Sequence, residues 1–239
     1  MKKNRRVPFV RAPKAIIICY SDSLMDYVKE HHRISEHNAF GGKLYLLKES
    51  QNQIGILGNT GIGSPAIVTA IEESIALGTK AYIAIGTAGT LQHAIKPGDL
   101  VLCTRAIRDE GTSFHYLKSS KYAYPSQTLT TKIESYLRKK NLYYKKGTSW
   151  TIDAPYRETV AEVKQYQKQG VLTVEMEASA LFAVAQYHHI EMAAMFVVSD
   201  SLADLVWKPD FHRIDTKSGM HQIYTLALDI LKKDLRRRK

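Results

Sequence analysis

The sequence predicts a single-domain α/β fold, on three observations. Strand-length apolar runs alternate with segments of helical period from Lys14 to the C-terminal region, which is the pattern of βαβ units. The 239 residues are 44% hydrophobic, enough to bury one sizeable core and short for two. No Pro/Gly-rich linker, internal repeat or low-complexity tract divides the chain.

Lys14 to Tyr20 reads as the first strand, followed by Ile54 to Gly58 and Tyr82 to Gly86, each rich in Ile or closing on a turn residue. Leu100 to Ile107 and Met192 to Ser199 extend the series. The best-marked helix runs from Pro65 to Leu77, because Ser64 can cap it, Pro65 suits the first helical position and Gly78 can adopt the left-handed conformation that ends it. Its Ile67, Ile71 and Ile75 fall on one face. Further helices are expected over Thr128 to Lys140, Arg157 to Gln169 with Gly170 as terminator, Met176 to Tyr187, and Lys217 to Leu231. The domain therefore spans 14–231, between basic tails at 1–13 and 232–239.

The formal charge of +11 is concentrated in those tails. Lys2, Lys3, Arg5 and Arg6 lie at one end; Lys232, Lys233, Arg236, Arg237, Arg238 and Lys239, against Asp234, lie at the other. The body carries only about +2, a mixed solvated surface rather than a basic groove, so no specific nucleic-acid partner is expected. The longest apolar stretches, such as Ala15 to Cys19 and Met192 to Val198, are too short to span a bilayer, and no long apolar region follows the basic start. A cytoplasmic protein with no membrane partner is the expectation. Cys19 and Cys103 sit in apolar runs, as buried thiols rather than a disulfide framework. His31-His32 and His188-His189 lack metal-ligand spacing and acidic or cysteine partners, so no metal is expected.

Four segments could carry chemistry. Gly58 to Pro65 (GNTGIGSP) joins a strand to a helix, where backbone N–H groups and the helix dipole favour an anion or polar ligand; a sharp chain reversal alone would also use these glycines. Gly86-Thr87-Ala88-Gly89-Thr90 follows the third strand at the edge where open α/β sheets bind ligands, with the same alternative of a plain turn. Val174-Glu175-Met176-Glu177 sets two carboxylates where an apolar strand meets an Ala-rich helix; they either favour the helix start or are presented to ligand hydroxyls. Asp200 follows the apolar run Met192 to Ser199, as a general acid or as the cap of the next segment.

Taken together, TGIG-S-P at 60–65, IGTAG at 85–89, KPGDLVL at 96–102, DEGTSFHY at 109–116, VEMEA at 174–178 and SDS at 199–201 resemble the nucleoside phosphorylase superfamily, in its uridine and hexameric purine branch. The resemblance covers roughly 14–215. It implies a central mixed β-sheet, partly barrel-like and flanked by helices, with active sites near subunit interfaces of a homo-oligomer, dimer to hexamer. It implies nucleoside and phosphate as the partners, phosphate being co-substrate, with no cofactor. By motif, Gly86 and Thr87 contact phosphate, while Met176 and Glu177 hold ribose. Trp150, Tyr156, Arg157, Val174 and Glu175 line the base pocket. Asp200 protonates a purine leaving group, assisted by Arg213.

The chain departs from that pattern at its anion site. Ala84 and Met25 stand where the branch places arginines, the first loop is Ser21-Asp22-Ser23-Leu24-Met25, and no arginine lies around His37 to Phe40. These losses remove the usual bidentate clamp. Three readings follow: a phosphorylase holding phosphate through Thr87, loop amides and substitute cations such as Arg105 or Arg108; a nucleosidase in which Asp22 activates water; and a non-catalytic nucleoside-binding protein.

Overall fold

Five consecutive buried residues, three of them Ile, build the first strand, β1 (Ala15–Cys19), as a strand covered on both faces requires. The computed structural model describes residues 12–39, 41–211 and 213–237, so the expected N-terminal tail falls almost wholly outside the described residues, as do 238–239. Helix α1 (Asp22–His31) follows, its N-terminus closed by the Ser21 hydroxyl accepting from the Leu24 N–H. The hairpin β2 (Ile34–Ala39) and β3 (Gly42–Leu47) leads into β4 (Ile54–Gly58), α2 (Ser64–Ala76), β5 (Ala81–Thr90) and β6 (Leu100–Asp109). Next come β7 (Tyr122–Ala123), α3 (Gln127–Lys139), β8 (Lys145–Ile152), α4 (Val160–Lys168) and β9 (Thr173–Glu175). The chain closes with α5 (Ala178–His188), β10 (Glu191–Ser201), β11 (Lys208–Pro209) and α6 (Ile214–Arg237).

All strands join one mixed sheet in the order β11-β10-β6-β8-β9-β5-β1-β4-β3-β2, with β7 beside β6. Because β10 also pairs with β5, the strands β5, β10, β6, β8 and β9 close on themselves as a barrel-like ring. The period of two along β1 sends alternate side chains to opposite layers. Ile17 packs with Leu24, Val28, Ile133 and Ile223 of α1, α3 and α6, whereas Ile16 and Ile18 pack with Ile67, Ile71 and Phe182 of α2 and α5. The result is the expected single-domain α/β architecture. No helix among the described residues is long and apolar enough to cross a membrane.

Several boundaries differ from the sequence expectation, each for a local reason. The strand expected over Tyr82 to Gly86 continues to Thr90, so Gly86 to Thr90 is not a turn; its parallel pairing with β10 persists through Phe196↔Gly86 and Val198↔Ala88. Gly63, at φ +96°, caps α2 in place of Ser64, whose hydroxyl instead donates to the Met176 carbonyl. Helix α4 starts at Val160 rather than Arg157 because Thr159 and Glu162 form a capping box, and Pro155–Arg157 is a short 3-10 turn. Helix α6 carries on through residues 232–237, where a tail was expected, with Lys132 pairing to Asp234 at 2.8 Å and Leu235 packed on the core. Cys19 and Cys103 are buried free thiols, and burial pushes Cys19 up to about 12.

Candidate functional site

Parallel pairing of β1, β4, β5 and β10 brings their C-terminal ends to one edge of the sheet, the edge at which ligands of such sheets bind. Thr87 is the one exposed residue of β5, and it stands on that edge next to Gly86. A Cβ at Gly86 would meet the Tyr20 ring at 3.1 Å. Gly89 is there for closer approach still: a Cβ would fall 2.7 Å from Asp200 Oδ2 and 3.2 Å from Val174 Cγ1. The glycines of this stretch therefore make room for Tyr20 and for a carboxylate from the neighbouring strand.

The junction of β9 and α5 supplies the second carboxylate. Glu177 is 8% exposed, and its Oε1 accepts from the Gly63 N–H at 2.6 Å, tying the junction to the glycine loop before α2. Burial, and after it the charge of Glu175, push the Glu177 carboxyl up to about 8. Met176 is half-buried alongside, its methyl 3.9 Å from where a Gly63 Cβ would lie. Glu175 behaves differently. Its Oε1 accepts from the Ser149 and Thr151 hydroxyls, at 3.2 and 2.6 Å, and its Oε2 from the Glu177 and Ala178 N–H groups at 2.9 and 2.7 Å. It satisfies the free amides at the start of α5, with its pKa raised by burial, and so braces the junction of β9 and α5.

Asp200 lies within β10 rather than after it and is 8% exposed. Its Oδ1 accepts from the Ser199 hydroxyl at 2.7 Å and its Oδ2 from the indole N–H of Trp207 at 3.0 Å. Arg213, expected beside it, pairs instead with Asp215 at 3.2 Å and Asp210 at 3.7 Å and is half exposed, because its own helix start is the nearer source of carboxylates. Sequence reasoning missed two residues here. Trp207 stands alone in a loop with no periodicity to mark it. Glu158 has a carboxyl pushed up to about 7, by burial first and then by the charges of Asp200 and Glu162; only the fold places it near Asp200.

The remaining base-pocket expectations separate. Val174 is buried beside Gly89 and Asp200. Trp150 is fully buried in the core, donating to Asp109 at 2.9 Å with its ring 4.6 Å from that of Tyr166, and so has no surface to offer a base. The second half of β8, Thr148 to Ile152, is buried throughout because the strand lies between β6 and β9, a placement the polar run KKGTSWTI does not reveal. Tyr156, 99% exposed, and Arg157 occupy the outer turn at 155–157.

At the anion end, Ala84 and Met25 are buried and apolar, with Met25 packed on Gly58. Arg108 spends its guanidinium on Ser113, Ser120 and the carbonyls of Leu117 and Lys118, and Arg105 donates to Thr148 while stacking on Tyr122. Asp22 is exposed just after the C-terminal end of β1, where its Oδ1 accepts from Asn59 Nδ2 at 3.4 Å, and Asn59 in turn accepts from the Tyr45 hydroxyl at 2.9 Å. Among the described residues no group of three or more His, Cys, Asp or Glu is placed to hold a metal.

Comparison with known proteins adds to this geometry. A family model described as the phosphorylase superfamily matches residues 14–228. The chain is 31% identical over 144 residues to a guanosine phosphorylase of Halorubrum lacusprofundi, covering 60% of each protein. It is 31% identical over 166 residues to a DeoD-type purine nucleoside phosphorylase of Alkaliphilus metalliredigens, covering 69% of this chain and 71% of the relative. A uridine phosphorylase of Haemophilus influenzae is 29% identical over 140 residues, or 53% of this chain and 56% of its own length. Among solved structures, purine nucleoside phosphorylase from Toxoplasma gondii in complex with immucillin-H superposes with a TM-score of 0.83 at 20% identity, over 98% of this chain and 96% of that one.

Proposed function

The chain belongs to the phosphorylase superfamily, and we propose that it cleaves the N-glycosidic bond of a nucleoside with phosphate, releasing free base and pentose 1-phosphate. The observation that carries this reading is the pair of buried carboxyls, Glu177 held to the Gly63 loop and Asp200 paired beside Gly89, with Thr87 the one exposed residue of the same strand β5. Breaking the bond develops positive charge on the pentose and negative charge on the base. Glu177 binds the sugar hydroxyls with Met176 against the sugar face. Asp200 delivers a proton to the departing base, which favours a purine. Proton donation by a positioned acid is worth about 10²–10⁴-fold in rate. Phosphate binds at Thr87 and Gly86 as co-substrate, and the chemistry needs no metal or organic cofactor. The same reading carries a cytoplasmic homo-oligomer, dimer to hexamer.

A second reading, hydrolysis by water, is favoured by one feature: the exposed Asp22 accepts from Asn59, itself held by Tyr45, while the arginine positions are filled by Ala84 and Met25. The experiment that separates the two is base release from a panel of purine and pyrimidine nucleosides, with and without phosphate. Release that requires phosphate supports phosphorolysis. Phosphate-independent release lost in Asp22→Asn supports the hydrolase, and no release from any nucleoside rejects both.

A further inference from the structure

Resting on the proposed role of Asp200 as proton donor, we propose that Trp207 is the positioning residue for that acid and that it acts through the neutral indole N–H. Among the described residues the Asp200 carboxylate has two side-chain donors, Ser199 at 2.7 Å on Oδ1 and Trp207 at 3.0 Å on Oδ2. They are not equivalent. A serine hydroxyl turns and serves as donor or acceptor, whereas an indole N–H only donates. Trp207 thereby reserves Oδ2 as an acceptor and leaves Oδ1 as the oxygen that carries the acidic proton.

The chain delivers the indole by a defined return. After β10, Leu205 takes a left-handed conformation, φ 61°, and its N–H bonds back to the Leu202 carbonyl at 2.9 Å. Strand β11, immediately after Trp207, then pairs antiparallel with Asp200 and Ser201, and the Asp210 N–H donates to the Ser199 carbonyl at 3.0 Å. Lys208 pairs with Asp204 across the same loop. The segment that carries the donor is thus laced to the strand that carries the acid. Arg213, farther along, is held by Asp210 and Asp215.

The chemistry gives this contact a purpose. As the C1′–N bond breaks, its electron pair goes to the base, C1′ bonds to an oxygen of the acceptor, the proton leaves Asp200 Oδ1 for a ring nitrogen of that base, and Asp200 becomes a carboxylate. A hydrogen bond to a charged acceptor is stronger than one to a neutral carboxyl, so the indole bond strengthens along the reaction and stabilises the transition state more than the ground state. It also holds the plane of the acid, where a misplacement of about 1 Å can cost 10²-fold.

The test compares a purine nucleoside with its N7-methylated counterpart, whose base leaves without needing a proton at N7, in whichever acceptor supports base release. Trp207→Phe keeps the ring and removes the N–H. It is expected to lower kcat on the unmethylated substrate by about 10- to 100-fold, with little change in KM, and to leave the methylated substrate within about twofold. Activity on the methylated substrate also reports that the variant is folded. Asp200→Asn is expected to show the same selectivity. If Asp200→Asn shows it and Trp207→Phe does not, or if Trp207→Phe slows both substrates equally, the role assigned to Trp207 is overturned. If Asp200→Asn itself shows no selectivity, the reading of Asp200 as the acid fails.

Discussion

Gly89 is the position at which a one-carbon change separates catalysis from folding. In Gly89→Ala the new methyl would sit 2.7 Å from Asp200 Oδ2, and relieving that contact to an ordinary 3.4 Å moves the carboxylate by about 0.7 Å. The obstructing atom is the tip of a side chain. The backbone of β5 is extended there and paired on both sides, so an alanine meets no conformational penalty. Val174, at 3.2 Å, must give by a few tenths of an ångström. Stability should therefore change by less than about 1 kcal/mol, the local clash offset by the better strand propensity of alanine. Rate should suffer far more. A displacement approaching 1 Å at a reacting group costs up to about 10²-fold, and the same movement breaks the 3.0 Å bond to Trp207. We expect kcat for a purine nucleoside to fall about 10- to 100-fold, measured by base release alongside thermal unfolding of the same preparation. Wild-type kcat in a folded Gly89→Ala protein would show that Asp200 is not the proton donor or does not need its observed position.

Two further substitutions test the carboxylates at the head of α5. Glu177 is raised from 4.5 to about 8 in the fold, so the folded protein holds the proton more tightly than the unfolded chain; the stabilisation is full below about 4.5 and is lost as pH rises through about 8. Relative to Glu177→Gln, the wild type should lose stability on the order of a few kcal/mol across that window. Parallel curves of melting temperature against pH for the two proteins would refute this. Glu175→Ala strands two hydroxyls and two amides that now donate to one carboxylate, and should cost about 3 kcal/mol or more in urea unfolding. A loss below about 1 kcal/mol would contradict its role as a brace.

The parts of the fold written as local pattern were legible in the sequence. The apolar runs became β1, β4, β5, β6 and β10, and Pro65 and Gly78 bracketed α2 to within a residue. What escaped was set by tertiary partners. The hairpin β2–β3 is an edge element with little apolar alternation, and β8 is a polar run made strand by its parallel neighbours β6 and β9. At the candidate site, Thr87, Glu177 and Asp200 stand out in the sequence because unusual residue types interrupt apolar segments. Glu175 has the same composition signal as Glu177 and is as deeply buried, and only the hydrogen bonds tell the two apart: four donors on Glu175, the Gly63 amide on Glu177. Trp207 and Glu158 come from loops whose paths no periodicity encodes. Arg213 pairs with Asp210 and Asp215, local contacts that a longer reach toward Asp200 would have to replace.

The central claim, cleavage of a nucleoside at its N-glycosidic bond with phosphate as acceptor, is tested most directly by the stoichiometry of products. A purine nucleoside is incubated with the protein while phosphate is raised from zero, and free base and pentose 1-phosphate are quantified in the same samples. Base release is expected to rise saturably with phosphate, with pentose 1-phosphate appearing one for one with base. Base accompanied by free pentose at all phosphate concentrations, or no base at any of them, would contradict it.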